Sequence, residues 1–282
     1  MINEAIYNAC EFDIIHSHLD YLAFPSFRAN NLKSLHTMHG RLDLPELVDI
    51  FDRHKEVPVV SISNNQRKPI LEANWKATVY HGLPQHLYNY KPRPTGRYLL
   101  FLGRICPEKG IASAIEIARL TGLQLKIAAK VDPVDEEYFR QQIEPLIEKY
   151  DLDFFGEATD LEKNELIGNA LALVFPINWP EPFGLVMIEA MACGTPIVAF
   201  GKGSVPEIIK NGENGFICED IQAAVKAIEN IDSIDRLNCR YHFDSRFTAS
   251  RMAQDYARIY EKELCSGKNR VFSSPSSIFC KS

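Results

Sequence analysis

The sequence has no apolar run close to the roughly 20 residues that a membrane-spanning helix needs. Its amino terminus, MINEAIYNACEF, carries Glu4 and Glu11 and no basic head, so it lacks the composition of a secretory signal. The seven cysteines are scattered without a CxxC pair, and their number is odd. These absences predict a cytoplasmic protein in a reducing compartment, without structural zinc.

Positive charge is not in excess either. The net charge is −6 and the isoelectric point is near 5.8, which argues against an extended nucleic-acid-binding face. The GxGxxG and Walker A spacings of dinucleotide and P-loop sites are also missing. A chain of 282 residues is long enough for two domains of ordinary size.

Short apolar runs alternate with helical stretches along almost the whole chain, which is typical of parallel βαβ units and predicts an α/β fold. Predicted strands cover 13–18, 34–39, 59–63, 77–82, 98–103, 123–129, 154–160, 172–178 and 197–200. Predicted helices cover 45–56, 64–74, 111–121, 135–149, 161–170, 220–229 and 248–264. The stiff polar connector Lys91–Gly96 is the best domain boundary, and the polar tail 266–282 is expected to be disordered.

The stretch EPFGLVMIEAMACGTPIVAF, from Glu181 to Phe200, is the most informative part of the chain. Pro182 suits the first position of a helix, because its missing N–H has no intrahelical partner there. Gly194 and Pro196 end that helix, and the strand IVAF follows. Nearly every side of the helix is apolar, so we expect it to be buried.

Two carboxylates accompany this helix. Glu189 lies in the middle of it, where a charge is costly unless something hydrogen-bonds or neutralises it. The N–H groups of Phe183, Gly184 and Leu185 form an anion site at the predicted helix start, and Glu181 stands at its lip. A phosphate at the top with a hydroxylated sugar alongside fits this geometry. Alternatively, Glu181 is a first-turn acid favoured by the helix dipole, and Glu189 pairs with a buried Arg or Lys.

Two cations follow the strand 98–103. Arg104 comes directly after Gly103, and Lys109 lies five residues later in the same loop. Ligands bind beyond the carboxyl ends of parallel strands, and two cations at that edge can neutralise a diphosphate without a metal ion. The alternative is a solvated loop in which Glu108 pairs with Lys109.

Two further motifs suggest metal binding. His16-Ser17-His18-Leu19-Asp20 has the HxHxD pattern of dinuclear metal hydrolases, and more histidines end predicted strands, at His36, His39 and His81. A histidine at a strand end can instead contact a sugar hydroxyl or move a proton. The Asp151-Leu152-Asp153 segment imitates the DxD motif of metal-dependent sugar transferases, but a solvated turn is the simpler interpretation.

The chain resembles the retaining glycosyltransferases of the large GT-B family that contains sucrose synthases, sucrose-phosphate synthases and bacterial mannosyl- and glucosyltransferases. The match runs from about Asp13 to Tyr260. It is carried by FLGRICPEKG, FFGEATDLEKNELIGNA, PEPFGLVMIEAMACGTPIVAF and PEIIKNGENGF. The most specific element is the E-x7-E pair formed by Glu181 and Glu189.

The resemblance implies two Rossmann-like domains facing a cleft, with a nucleotide-diphosphate sugar as co-substrate and neither a metal nor another cofactor. It implies that Gly103, Arg104, Lys109 and the backbone at Phe183, Gly184 and Leu185 bind the diphosphate. Glu189 would hold the ribose, Glu181 would contact the transferred sugar, and His16 would face that sugar. Catalysis would then depend on Glu181, His16, Arg104 and Lys109.

The resemblance also divides the chain. It implies a first, incomplete domain over 1–93, a nucleotide-sugar-binding domain over 94–245 and a helix over 246–265 that packs back on the first domain. Family members begin with a strand and a glycine-rich loop that this sequence does not contain. We therefore expect weak turnover, unless a second chain supplies that part, and the alternative function is an inactive nucleotide-sugar-binding subunit. The acceptor, whether a sugar, a lipid-linked sugar or a small molecule, and a peripheral membrane contact stay open.

Overall fold

The computed structural model describes residues 1–266, whose strands form two parallel sheets of four and six strands. The order in the first sheet is β1 (Ile15–Ser17), β2 (Ser34–Thr37), β3 (Val59–Ser61) and β4 (Trp75–Thr78). Helices α1 (Ile2–Tyr7), α2 (Phe24–Ala29) and α3 (Pro45–Arg53) accompany these strands. The α/β class and the parallel sheets are as predicted.

The second sheet begins with β5 (Tyr98–Arg104) and continues in the chain with β6 (Gln124–Lys130), β7 (Asp153–Gly156), β8 (Ala172–Phe175), β9 (Ile197–Phe200) and β10 (Gly215–Cys218). In space the order is β10-β9-β8-β5-β6-β7. The connection reverses direction between β5 and β8, and open α/β sheets bind ligands at such a switch point.

Helices cover both faces of the second sheet. They are α4 (Ile111–Thr121), α5 (Glu136–Tyr138), α6 (Glu144–Tyr150), α7 (Asp160–Asn169), α8 (Leu185–Cys193), α9 (Val205–Ile208), α10 (Ile221–Glu229) and α11 (Arg236–Arg246). The last helix of the chain is α12 (Ala249–Ser266). One apolar core contains α8 and the inner face of β8, and another contains α4 and α10 on the opposite face. The apolar strands β5, β8 and β9 are therefore buried on both faces of the sheet.

The last helix returns to the first sheet. Tyr256 and Ile259 of α12 pack against Leu35, Val60 and Val79, which lie on or next to the strands of that sheet. The two parts of the chain are thus joined by the connector near residue 90 and by α12.

Proline explains two departures from the predicted helices. The helix predicted over 64–74 is a 3-10 helix, Asn65–Ile70, because Pro69 has no N–H for an α-helical bond. The helix predicted over 135–149 is interrupted by a π turn, Phe139–Ile143. This turn comes immediately before α6, whose second residue is Pro145. Strand β10 and helix α11 were not predicted.

No helix within residues 1–266 is long and apolar enough to cross a bilayer. The predicted disordered tail, 266–282, lies outside the described residues except for Ser266, the last residue of α12.

Candidate functional site

The loops after β5 and β8 meet in front of α8. Lys109 Nζ lies 2.5 Å from Glu181 Oε2, and Trp179 Nε1 donates to the same oxygen at 2.8 Å. Within residues 1–266, no hydrogen bond engages the other carboxylate oxygen, Oε1. Glu181 is 8% exposed, so its carboxylate is held in a fixed place by one cation and one N–H donor.

Backbone bonds fix both loops. The 3-10 turn Pro107–Lys109 presents the Glu108 carbonyl, which accepts from Asn178 N at 2.7 Å. Lys109 therefore pairs with Glu181 across 72 residues of sequence rather than with its neighbour Glu108.

Glu181 is also held from behind. Ser204 N donates to the Glu181 carbonyl at 2.9 Å. Gly203 has φ +61, and a Cβ there would overlap the backbone of Glu181, so only glycine lets the loop after β9 approach so closely.

Arg104 ends β5 and points to other carboxylates. Its Nη1 is 3.2 Å from Asp132 Oδ2, and its Nε is 3.6 Å from Asp135 Oδ2. The side chain is 47% exposed, so water and these aspartates both compete for it. Gly103, the preceding residue, pairs in register with Ala129 of β6 and places Arg104 at the carboxyl edge of the sheet.

The helix α8 begins at Leu185, not at Pro182 as predicted. Gly184 has φ +82, a left-handed conformation that stops the helix from extending towards Pro182. The N–H groups of Phe183 and Gly184 therefore precede the helix, and only that of Leu185 belongs to its first turn. Phe183 is buried, and its carbonyl accepts from Ser204 Oγ at 2.6 Å, whereas Leu185 is 43% exposed.

Glu189 lies one turn into α8 and is 9% exposed. Burial raises the pKa of its carboxyl group, while the charge of Lys163 and a hydrogen bond from Tyr88 act in the opposite direction. In the part of the chain that the structure describes, no Lys or Arg nitrogen forms an ion pair with it. The alternative of a buried structural ion pair at Glu189 is therefore wrong.

The raised pKa of Glu189 gives stability a pH dependence. Above the ordinary carboxyl value of 4.5, the folded state holds this proton more tightly than the unfolded state, so this residue's contribution to stability falls as pH rises. We expect the Tm of Glu189→Gln minus that of the wild type to increase from pH 4.5 upward. Thermal unfolding at several pH values measures this, with the exposed Glu229→Gln as control. A difference that does not change with pH contradicts it.

Four histidines line the carboxyl edge of the first sheet. His16 and His18 have ring centroids 4.1 Å apart, His18 Nδ1 is 2.8 Å from His39 Nε2, and the His39 and His81 rings stack at 5.4 Å. These four rings form a histidine row. At its end nearest the second sheet, the His81 ring contacts the Phe183 ring edge-on, with the ring centroids 4.9 Å apart. The structure thus brings the histidine row to the start of α8.

His16 is more enclosed than its neighbour His18. Its Nδ1 is 2.7 Å from Tyr260 Oη and its Nε2 is 2.8 Å from Thr37 Oγ1, so both nitrogens are engaged by the protein. Burial and the neighbouring histidines lower the pKa of His16 to about 3. His18, by contrast, is exposed.

The HxHxD and DxD motifs do not form a metal-binding site within the described residues. No group of three or more His, Cys, Asp or Glu side chains within residues 1–266 is placed to hold a metal ion. Asp153 begins β7 and accepts from Gln124, the first residue of β6, so the DxD segment lies at the amino edge of the second sheet, opposite the site.

Sequence reasoning missed Trp179 and Tyr88. Trp179 carried a signal, because it is one of two tryptophans and stands in the loop between a predicted strand and Glu181. Its ring lies 5.6 Å from Lys109 Nζ and 5.3 Å from the Arg41 guanidinium carbon, so cations from both sheets approach it. Tyr88 gave no such signal, since its partner Glu189 is 101 residues away.

Comparison with known proteins adds the family. Residues 89–241 match the family model described as Glycosyl transferases group 1. Phosphatidyl-myo-inositol mannosyltransferase of Mycobacterium leprae is 30% identical over 185 residues, which cover 61% of this chain and 48% of that protein. A probable sucrose-phosphate synthase of Thermosipho melanesiensis is 27% identical over 175 residues, 58% of this chain and 41% of that protein. The chain spans about half the length of the curated relatives it matches.

Solved structures agree on the fold. Sucrose-phosphate synthase from Thermosynechococcus elongatus superposes with a TM-score of 0.78 at 20% identity, over 94% of this chain and 77% of that one. HepE of Anabaena in complex with UDP-glucose superposes with a TM-score of 0.77 at 19% identity, over 93% and 82% of the two chains. This likeness confirms the predicted GT-B architecture.

Proposed function

The chain belongs to the group 1 glycosyl transferases, and on that premise we propose that it transfers a hexose from a nucleotide-diphosphate sugar to an acceptor hydroxyl. We further propose that the anomeric configuration is retained and that no metal ion takes part. The Lys109–Glu181 ion pair in front of α8 carries the proposal, because it sets a cation and a carboxylate side by side at the switch point of the second sheet.

Lys109 and Arg104 are the proposed diphosphate ligands. An ammonium group has three N–H donors, so Lys109 can keep its bond to Glu181 and still donate to a phosphate oxygen. Arg104 turns from Asp132 and Asp135 towards the diphosphate at little cost, since exposed ion pairs contribute little. The N–H groups of Phe183, Gly184 and Leu185 complete the anion site.

The two glutamates receive the sugars on either side. Glu181 Oε1 is open to a hydroxyl of the transferred hexose, while Oε2 stays fixed by Lys109 and Trp179. Glu189, one helical turn further along α8, accepts from the ribose hydroxyls. Binding a hydroxyl pair gives its buried carboxylate hydrogen-bond donors in place of solvent.

We assign the histidine contact of the hexose to His18 rather than to His16. Both ring nitrogens of His16 are already hydrogen-bonded to Tyr260 and Thr37, so His16 has no free nitrogen for a sugar hydroxyl. Its ring packs against that of His18. His18 is exposed beyond the carboxyl end of β1, the edge at which a parallel sheet receives ligands.

In the proposed reaction, the bond between the anomeric carbon and the diphosphate oxygen breaks, and the acceptor oxygen forms its bond on the same face. The leaving diphosphate gains negative charge, which Lys109 and Arg104 stabilise. The acceptor hydroxyl loses its proton to a phosphate oxygen. Glu181 steadies the positive charge that develops at the anomeric carbon.

A ribose test separates this site from a nonspecific anion pocket. UDP is the probe, because HepE of Anabaena was crystallised with UDP. We expect 2′-deoxy-UDP to bind the wild type about 10- to 100-fold more weakly than UDP, the size of a lost hydrogen bond to a charged group. In Glu189→Ala the two ligands should bind alike.

Calorimetric titration measures both affinities in both proteins. Glu229→Ala, an exposed carboxylate at the end of α10, is the matched control and should keep the wild-type preference. An equal preference for UDP over 2′-deoxy-UDP in the wild type and in Glu189→Ala excludes Glu189 as the ribose ligand. The same titration with ADP, GDP and their hexose derivatives identifies the base and the sugar.

A further inference from the structure

The aspartate of the HxHxD motif binds the loop after β2, a contact that the sequence of the motif does not indicate. Asp20, the last residue of the motif, adopts φ +48, a left-handed conformation that aspartate tolerates better than most residues. Its Oδ1 accepts from the backbone N–H of His39 at 2.6 Å and of Gly40 at 3.4 Å. The carboxylate therefore clamps the loop after β2 onto the loop after β1.

That clamp brings two imidazoles together. His39 Nε2 lies 2.8 Å from Nδ1 of His18, with the ring centroids 5.1 Å apart and an interplanar angle of 29°. On its other side, His39 stacks on His81 at 5.4 Å with an angle of 10°. His39 is thus held by its backbone through Asp20 and by its ring face through His81.

A bond between two neutral imidazoles couples their protonation states. Each neutral ring has one N–H donor and one acceptor nitrogen, so a donor on one ring requires an acceptor on the other. The nitrogen of His18 that meets His39 then determines the state of its second nitrogen, Nε2. Partial desolvation lowers the pKa of both rings, although the His18 residue as a whole is exposed, and neutral rings are the form in which this coupling operates.

We propose that His39 is a positioning residue that fixes the ring orientation and the tautomer of His18, and that Asp20 holds His39 in place for this task. For the reaction, the inference rests on the proposed function, because His18 is the ring that we place against the hexose. The pairing of the two rings can be tested without any substrate.

The substrate-free test is long-range proton–nitrogen NMR on ¹⁵N-histidine-labelled protein. We expect His18 to occupy a single tautomer with a hydrogen-bonded Nδ1. In His39→Phe, which keeps a flat ring for His81 to stack on, His18 should exchange between both tautomers. In His39→Gln, whose amide can occupy the position of Nε2, the hydrogen bond to His18 Nδ1 and the orientation of the ring should persist. The exposed His86→Phe is the control and should leave the His18 signals unchanged.

Turnover supplies the second readout. At saturating UDP-glucose, we expect His39→Phe to lower the rate of UDP release about 5- to 10-fold, as for one lost hydrogen bond, and His39→Gln to restore most of it. His18 signals that are the same in His39→Phe and in the wild type overturn the inference. The inference is supported if His18 has a single tautomer in the wild type and exchanges between two in His39→Phe, even when the protein releases no UDP. In that case only the proposed function fails.

Discussion

Changing Lys109 to alanine is expected to slow UDP release from UDP-glucose by about a hundredfold to a thousandfold. In the proposed reaction the leaving diphosphate gains charge in the transition state, and Lys109 is the cation that the fold places beside Glu181 at the carboxyl edge of the second sheet. Its position is fixed before substrate arrives, so little reorganisation is needed during the reaction. Steady-state measurement at saturating donor reports this loss directly.

Lys226→Ala is the matched control for that experiment. Lys226 is an exposed lysine of α10, away from the loops after β5 and β8, so its removal should leave the rate nearly unchanged. Because Lys109 and Glu181 act as one unit, Lys109→Ala combined with Glu181→Gln should be little slower than the slower single variant. A Lys109→Ala protein that folds normally and keeps more than about half of the wild-type rate excludes the assigned role. Removing a group that stabilises transition-state charge costs about a hundredfold to a thousandfold in rate.

The sequence predicts the sheets well because their signal is local. The runs 98–102 in β5 and 172–175 in β8 are continuously apolar, as buried parallel strands must be, and the same reasoning identifies Glu189 as a costly charge inside an apolar helix. The start of α8 escapes such reasoning. Pro182 favours a helix start, but the left-handed conformation of Gly184 moves it to Leu185, and backbone conformation leaves little trace in residue identity.

Partners across long sequence separations are the harder part of the site. Lys109 and Glu181 were both singled out, yet nothing in the spacing indicates that they contact one another rather than their neighbours. Similarly, the pattern HSH does not show which histidine is enclosed. That depends on Tyr260, which reaches His16 from a helix 244 residues later in the chain.

Helix α11 was missed for a related reason. Its sequence, RLNCRYHFDSR, contains arginines at 236, 240 and 246, which suggest a solvated segment. In the structure all three donate to backbone carbonyls. Those of Arg240 and Arg246 lie near the ends of α8 and α9, where the last carbonyls of a helix have no intrahelical partner. Such a role cannot be distinguished from solvation by composition, because the acceptors are backbone atoms.

Among the three arginines of α11, Arg236 is the one whose replacement by methionine is expected to lower the protein's free energy of unfolding most. Arg236 donates to the carbonyls of Gly168 and Ala170 at the end of α7, to Cys193 at the end of α8, to Lys91 in the connector and to Thr195 Oγ1. Several buried acceptors lose a charged donor at once, so we expect a loss of at least about 3 kcal/mol. For a chain of this size that corresponds to a fall in Tm of roughly 6 °C or more.

Thermal unfolding of Arg236→Met beside Arg119→Met tests this expectation. Arg119 carries the same side chain on the surface of α4, where it pairs with Glu116, and its replacement should leave Tm unchanged. If Arg236→Met unfolds at the wild-type temperature, the carbonyls at the ends of α7 and α8 are satisfied by other means. If it unfolds early but still binds UDP at low temperature, the arginine supports the scaffold that holds Glu189 and takes no part in the proposed recognition. None of its acceptors belongs to Glu181 or Glu189.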